Sequence, residues 1–262
     1  MGADERRDGM NSNGSPDTIG AVRTAFSLLA AIAERGGTAG VTELATARDM
    51  PKSTVFKHLN TLAELGHLER EDGEYVLGAR LADLGRHSLA RTPLYPAAKP
   101  QIERLAELTD ETVGIAVGSR GRVADLHWDS RGESPVGASG TSEQPHCSAP
   151  GKAILSQCPD PEIDAIVAEF GLSARTENTI TDVERLTSAV GRVRERGIAI
   201  EREEQYEGVN SVAVPLTDLP PNAAIYVAGS AERLSSKRIE EDVPGILLSA
   251  ASEVTKRFLA TS

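Results

Sequence analysis

"PKSTVFKHLNTLAELG", residues 51–66, runs directly into "HLEREDGEYVLG", residues 67–78. Pro51 suits the start of a helix, where its missing amide costs nothing, and Gly66 suits the position just past a helix end. Wound at about 100° per residue, the stretch puts Val55, Leu59 and Leu62 on one side and Ser53, Thr54, Lys57, Asn60 and Thr61 on the other. The second face is polar, rich in hydrogen-bonding groups and cationic near its N-terminus, the chemistry needed to enter a DNA major groove. The following stretch reads as two short extended runs around Asp72-Gly73, a strong hairpin signal.

Upstream, Val22, Phe26, Leu29 and Ile32 recur at helical spacing between Ile19 and Arg35, and Gly36-Gly37 stops that helix. "VTELATARDM" (41–50) reads as a short amphipathic helix with Leu44 and Ala45 inward. Helices followed by a hairpin describe a winged helix-turn-helix, expected over residues 19–78. The polar face could also be merely solvated, or could dock a partner protein instead of DNA.

The chain has 262 residues, 39% hydrophobic and 26% charged, enough for two modest domains or one large one. No apolar run approaches the roughly 20 residues that span a bilayer. The N-terminal "MGADERRDGMNSNGSPD" is polar and lacks a signal core; residues 1–18 are expected to be a tail. Two cysteines, Cys147 and Cys158, are too few for a disulfide framework, which agrees with a reducing cytoplasm. The net charge of −11 opposes a nucleic-acid partner at first sight. Acids, however, crowd the wing and the C-terminal two thirds, whereas residues 50–63 contain bases and no acid. Lysine occurs only at positions 52, 57, 99, 152, 237 and 256. An acid-rich, lysine-poor surface is a common solution to staying soluble in concentrated salt, so a halophilic source is expected.

"ARLADLGRHSLA" (79–90) reads as a linker helix, and Pro93, Pro96 and Pro100 then punctuate the chain before the amphipathic "QIERLAELTDE". The domain boundary is expected within 79–96, with a second domain over 97–262. "TVGIAVGS" and "RVADLHW" alternate across Arg120-Gly121 as a second hairpin, and a Gly/Pro/Ser-rich loop occupies 129–145. Thr181 and Glu184 form a capping-box pattern for a helix ending at Gly197. Three strand-like runs follow, "IAIERE", "SVAVPLT" and "AAIYVAG", then a long helical stretch containing Pro244. Neighbouring antiparallel runs with helices at the margins make the class α+β.

"PHCSAPGKAIL" (145–155) concentrates reactive residue types. A Walker loop needs glycine where His146 stands and Ser or Thr where Ala153 stands, so that reading fails. Zinc would need more ligands at recognised spacing than adjacent His146 and Cys147 supply. Cys147 as a nucleophile needs a base from His58, His67, His87, His127 or His146. The first three lie in or beside the DNA-binding part, and neighbours on a strand point to opposite faces. Nothing here asks for a metal or a cofactor. The remaining reading is the wall of a ligand pocket, with a helix starting near Gly151 whose amides could receive a carboxylate.

The stretch "MPKSTVFKHLNTLAELGHLEREDGEYVLGARLADLG" resembles the IclR family of transcriptional regulators, which typically reads "LPKSTVxRLLxxLxELGYLxxxxGxYxLGxRLLxLG" here. Lys57 stands where that family usually has arginine, keeping charge but losing the bidentate fork that reads guanine. "HCSAPGKAIL" is similar to the family's "LHxTAxGKAxLA", and "GIAIEREEQYEGVNSVAVP" (197–215) to "GYAxDxxExxxGxxCxAxP". The resemblance implies a winged helix-turn-helix, a linker helix and a GAF/PAS-like antiparallel-sheet effector domain. It also implies a cytoplasmic, non-enzymatic homodimer, or a dimer of dimers, that binds double-stranded operator DNA. Lys52, Ser53, Thr54, Lys57, His58 and Asn60 would form the interface, with Arg70 and Tyr75 of the wing on the adjoining backbone or minor groove. The effector, an organic, sugar or aromatic acid, would meet His146, Ser148, Ala149, Gly151, Glu201, Ser211, Tyr226 and Ala228. Tyr226 and Ala228 stand where small serines are frequent; Tyr226 would fill the pocket, line it, or simply be a core aromatic. A cysteine-dependent enzyme and a protein–protein adaptor are the alternatives.

Overall fold

The computed structural model describes residues 18–131, 141–142 and 144–261. The expected tail, apart from Thr18, and most of the expected 129–145 loop lie outside the described residues. The chain divides into two units, one up to Asp83 and one from Leu84.

In the first unit, α1 (Gly20–Ala33), β1 (Thr38–Ala39), α2 (Val41–Ala47) and α3 (Lys52–Glu64) precede β2 (Leu68–Glu71) and β3 (Glu74–Leu77). Val55, Leu59 and Leu62 of α3 pack with Leu28 and Ile32 of α1, Leu44 of α2, and Leu68 and Tyr75 of the hairpin. The hairpin turn has φ of 49° at Asp72 and 89° at Gly73. Two left-handed central residues match the twist of antiparallel strands, which is why Asp-Gly serves there. The sheet has a third strand not anticipated from sequence, because Thr38 and Ala39 pair with Val76 and Tyr75. The apolar stripe expected on α1 splits. Leu29 and Ile32 are buried, whereas Val22 and Phe26 remain 51% and 66% exposed.

α4 (Ala79–Ala90) crosses the division between the units and buries no residue. In the second unit α5 starts at Leu94 and ends at Thr109, so Pro96 lies in its first turn and Pro100 within it. The prolines therefore do not break this stretch as expected. Pro100 forgoes one backbone hydrogen bond, and burial of Leu94, Ala98, Ile102 and Leu105 offsets that loss.

β4 (Thr112–Ser119), β5 (Arg122–Ser130), β6 (Thr141–Ser142), β7 (Ala199–Arg202), β8 (Val209–Leu216) and β9 (Ala223–Ser230) build one sheet in the order β6-β5-β4-β9-β8-β7. Every described pairing in it is antiparallel. A 3₁₀ turn (Pro145–Cys147), α6 (Ala149–Leu155), α7 (Asp160–Phe170) and α8 (Val183–Arg196) lie between β6 and β7 in the chain. A π turn over Arg238–Asp242 leads into α9 (Val243–Thr261), with Pro244 in its first turn. The N-cap of α8 is Asp182, whose carboxylate accepts from the Arg185 amide at 2.9 Å, in place of the expected Thr181.

The two faces of this sheet differ in side-chain size. Val113, Ile115, Val117, Val212, Val214, Ile225 and Val227 share one core with α5 and α9. The opposite face offers Ala116, Ala213, Ala224 and Ala228, with Tyr226 among them, to Ala149 and Ala153 of α6. Branched aliphatics close the first face by interdigitating; small residues let α6 approach the second closely.

Candidate nucleic-acid interface and effector site

Lys52, Ser53, Lys57 and Thr61 are exposed on α3, and Thr54, His58 and Asn60 are half-buried. Tyr75 is not at the tip of the wing. It is 2% exposed and belongs to the core. Its hydroxyl donates to Asn60 Oδ1 at 2.7 Å and accepts from Arg70 Nη2 at 2.7 Å, and Arg70 also donates to Asn60. The Arg70 guanidinium lies 5.1 Å from the Tyr75 ring centroid and 5.7 Å from that of Phe56. Arg70 and Tyr75 face each other across the β2–β3 ladder, so the network ties the wing to α3. The outer wing carries exposed Glu69, Glu71, Asp72 and Glu74.

In the second unit the 3₁₀ turn holds His146 and Cys147, which therefore do not alternate as neighbours on a strand would. His146 is buried with Nε2 3.2 Å from the Ser173 carbonyl oxygen, and burial lowers its pKa. Burial pushes the Cys147 thiol up to about 11, the direction opposite to an activated thiolate. Among the described residues no group of three or more His, Cys, Asp or Glu is placed to hold a metal. Ser148 is the N-cap of α6, its Oγ accepting from the Gly151 amide at 3.1 Å. The Lys152 amide bonds to the Ser148 carbonyl, and Pro150 has no amide to offer. The amides of Gly151 and Lys152 are thus already engaged, which leaves this helix start fewer donors for a carboxylate than expected. Gly151 is required for another reason: a Cβ there would collide with the Pro145 backbone.

Facing α6 across the small-residue side, Glu201 is 2% exposed. Its Oε2 accepts from Ser211 Oγ at 2.6 Å and its Oε1 from the Glu204 amide at 2.6 Å. Burial outweighs these bonds and raises Glu201 to about 7. Asp125 of β5 is likewise raised to about 7 by burial, although the Tyr226 hydroxyl donates to it. Lys152 of α6 is buried with Nζ 2.6 and 2.7 Å from the two Glu204 carboxylate oxygens. Ala149, Tyr226 and Ala228 share one cluster, and Ser211 pairs with both Glu201 and Ala228 in the sheet. The Ser148 hydroxyl is held by its own helix start, and His146 by the distant Ser173 carbonyl.

Residues 21–72 match the IclR helix-turn-helix domain, and residues 86–256 match the bacterial transcriptional regulator IclR C-terminal domain. The chain belongs to the IclR family. This IclR regulator is 28% identical over 256 residues to the probable HTH-type transcriptional regulator ArcR of Halobacterium salinarum, covering 94% of this chain and 97% of that one. It is 30% identical over 255 residues to the HTH-type transcriptional regulator KdgR of Escherichia coli, covering 93% and 94% respectively. The crystal structure of Thermotoga maritima IclR superposes with a TM-score of 0.68 at 27% identity, covering 91% of this chain and 98% of that one. An IclR homologue from Microbacterium hydrocarbonoxydans, solved with 4-hydroxybenzoate, shares the fold at 21% identity and a TM-score of 0.70, covering 92% and 99%. The protein is a transcriptional regulator with a helix-turn-helix DNA-binding domain and a C-terminal ligand-binding domain.

Sequence reasoning missed Asp125, Gly114 and Glu204 of this IclR chain. Asp125 stood in plain sight within "RVADLHW", a lone acid in an otherwise apolar run ahead of His127. Glu204 is one acid among Glu201, Glu203, Glu204 and Glu207, and nothing local marks it as the partner of Lys152.

Proposed function

We propose that this regulator reads operator DNA as a homodimer and changes its DNA occupancy when a small organic acid enters the small-residue side of the C-terminal sheet. The carrying observation is the polar face of α3, whose solvent-facing Lys52, Ser53 and Lys57 are backed by a helix fastened to the wing through Asn60, Tyr75 and Arg70. Ser53, Thr54 and Lys57 enter the major groove and Lys52 holds phosphate, with His58 beside them. Asn60 and Tyr75 act as positioning residues, since the Asn60 carbonyl oxygen and the Tyr75 hydroxyl are spent on each other and on Arg70. The acidic outer wing repels phosphate, so α3 supplies most of the electrostatic attraction.

Self-association is supported by Ile19, Val22 and Phe26, an exposed apolar stripe at helical spacing along and just before α1. A two-fold interface buries the same stripe from both copies and sets the spacing of the half-sites. The effector reading rests on Glu201 and Asp125, carboxyls raised to about 7 beside Ser211 and Tyr226. A protonated carboxyl donates to an incoming carboxylate, which suits an acid effector; the fold relative holding 4-hydroxybenzoate is consistent with that class. The protein works by reversible binding, without turnover, in the cytoplasm of a salt-adapted cell. No described helix is long and apolar enough to cross a membrane.

The test is selection of bound duplexes from a random-sequence library by the full chain, followed by quantitative binding of the enriched sequence. Lys57→Ala is expected to weaken that complex about tenfold, the scale of one base or phosphate contact. Failure to enrich any sequence would sink the DNA-reading assignment.

A further inference from the structure

A groove of about 530 Å³ lies between α8 and the outer edge of β7. β7 is the terminal strand of the sheet and has β8 on one side only. Ile198, Ile200 and Arg202 form the groove wall on this edge. α8 supplies Val193 together with Arg192 and Arg196, which are four residues apart and therefore share one helix face. Neither the Arg192 nor the Arg196 side chain has a hydrogen-bond or ion-pair partner among the described residues. Arg194, between them in sequence, is committed to the Ser156 and Cys158 carbonyls and to Asp160. Arg202 pairs with Glu240, and Lys152 with Glu204. Those pairs neutralise each other, leaving the two guanidiniums as a local positive excess in a chain of net charge −11.

Paired guanidiniums above branched aliphatic side chains suit a planar oxyanion on an apolar body. The groove volume falls within the range of about 300–1,000 Å³ typical of small-molecule sites. We infer that this groove is a second small-molecule site, for a short-chain aliphatic carboxylate whose head lies between Arg192 and Arg196 and whose chain lies on Ile198 and Ile200. Glu204 connects it to the effector site. Its carboxylate holds Lys152 in the groove wall, and its amide donates to Glu201. Two ligands that bias one residue alter each other's affinity by the same factor.

The full-length protein with labelled isoleucine methyl groups is titrated with hexanoate, and in parallel with hexan-1-ol and inorganic phosphate. Hexanoate is expected to move the Ile198 and Ile200 resonances saturably, with both comparison probes binding more weakly. Arg192→Ala/Arg196→Ala should raise the hexanoate dissociation constant at least about tenfold without changing the unfolding midpoint appreciably, since both side chains are exposed. Unmoved Ile198 and Ile200 resonances, or equal affinity in the double variant, would overturn the inference. Shifts confined to the small-residue face would also overturn it, while leaving the effector reading of that face intact.

Discussion

The ring of Tyr226 lies across Gly114, its partner in the β4–β9 ladder. A Cβ added to Gly114 would stand 2.5 Å from both the Cζ and the hydroxyl oxygen of Tyr226. The position of this ring is therefore set by an absent side chain on the neighbouring strand. Gly114→Ala is expected to displace the ring and destabilise the domain by about 1–3 kcal/mol, the usual cost of overpacking. Urea unfolding measures this; an unchanged midpoint would mean that the ring yields freely.

Tyr226→Ala should act on ligand choice. Removing a buried aromatic costs about 3–5 kcal/mol if the hole stays empty, so a ligand that occupies it restores stability. The expected outcome is a lower melting temperature that aromatic acids raise by more than they raise that of the unaltered protein. Equal shifts in both proteins would place the ligand elsewhere.

The raised carboxyls of Glu201 and Asp125 give stability a definite pH slope. Their ordinary values are 4.5 and 3.8, and burial lifts each to about 7. Between those limits the native state keeps protons that the unfolded chain has released, so stability falls as pH rises towards and through 7. Glu201→Gln removes one of the two groups and should flatten the fall in melting temperature. An unaltered slope in that variant would show that the carboxyl stays charged in the fold.

Lys152 and Glu204 have side chains only 3% and 12% exposed, 52 positions apart in the chain. Removing one partner strands a buried charge, so Lys152→Met is expected to cost about 3–5 kcal/mol. Adding Glu204→Leu should recover most of that loss, because the pair as a whole contributes less than its breakage costs. Additive losses in the double variant would contradict this coupling.

Tyr75→Phe keeps the ring in the core and deletes the hydroxyl shared by Asn60 and Arg70. The expected stability loss is about 1 kcal/mol, with a larger proportional loss in DNA affinity because the wing and α3 are no longer fastened. Calorimetry and operator titration on the same samples separate the two effects; loss of stability alone would limit the network to a structural role.

α3 and its hairpin are legible in the sequence because their causes are local. Val55, Leu59 and Leu62 follow the helical repeat, and Asp72-Gly73 supplies two left-handed residues in a row. The two faces of β8 follow the alternation of Val212 and Val214 with Ser211 and Ala213 in "SVAVP", whereas Tyr226 interrupts the alternation of size in "AAIYVAG". Burial of Tyr75 was not legible. In a four-residue strand either face could be the inner one until β1 and α3 fix the choice. The 3₁₀ turn at His146 and the choice of Asp182 over Thr181 as a cap depend on backbone angles that residue types leave open. Glu204 meets Lys152 only because the sheet brings distant segments together.

The unequal faces of the six-stranded sheet separate what must be kept from what can vary. In the proposed effector site, exchanging Ser211, Tyr226 or Ala228 changes the chemistry offered to a guest molecule while Val212, Val214, Ile225 and Val227 go on holding α5 and α9. On the proposed effector reading, such a receptor can be retuned to a new metabolite by a few steps on one side of two strands, with its framework inherited unchanged.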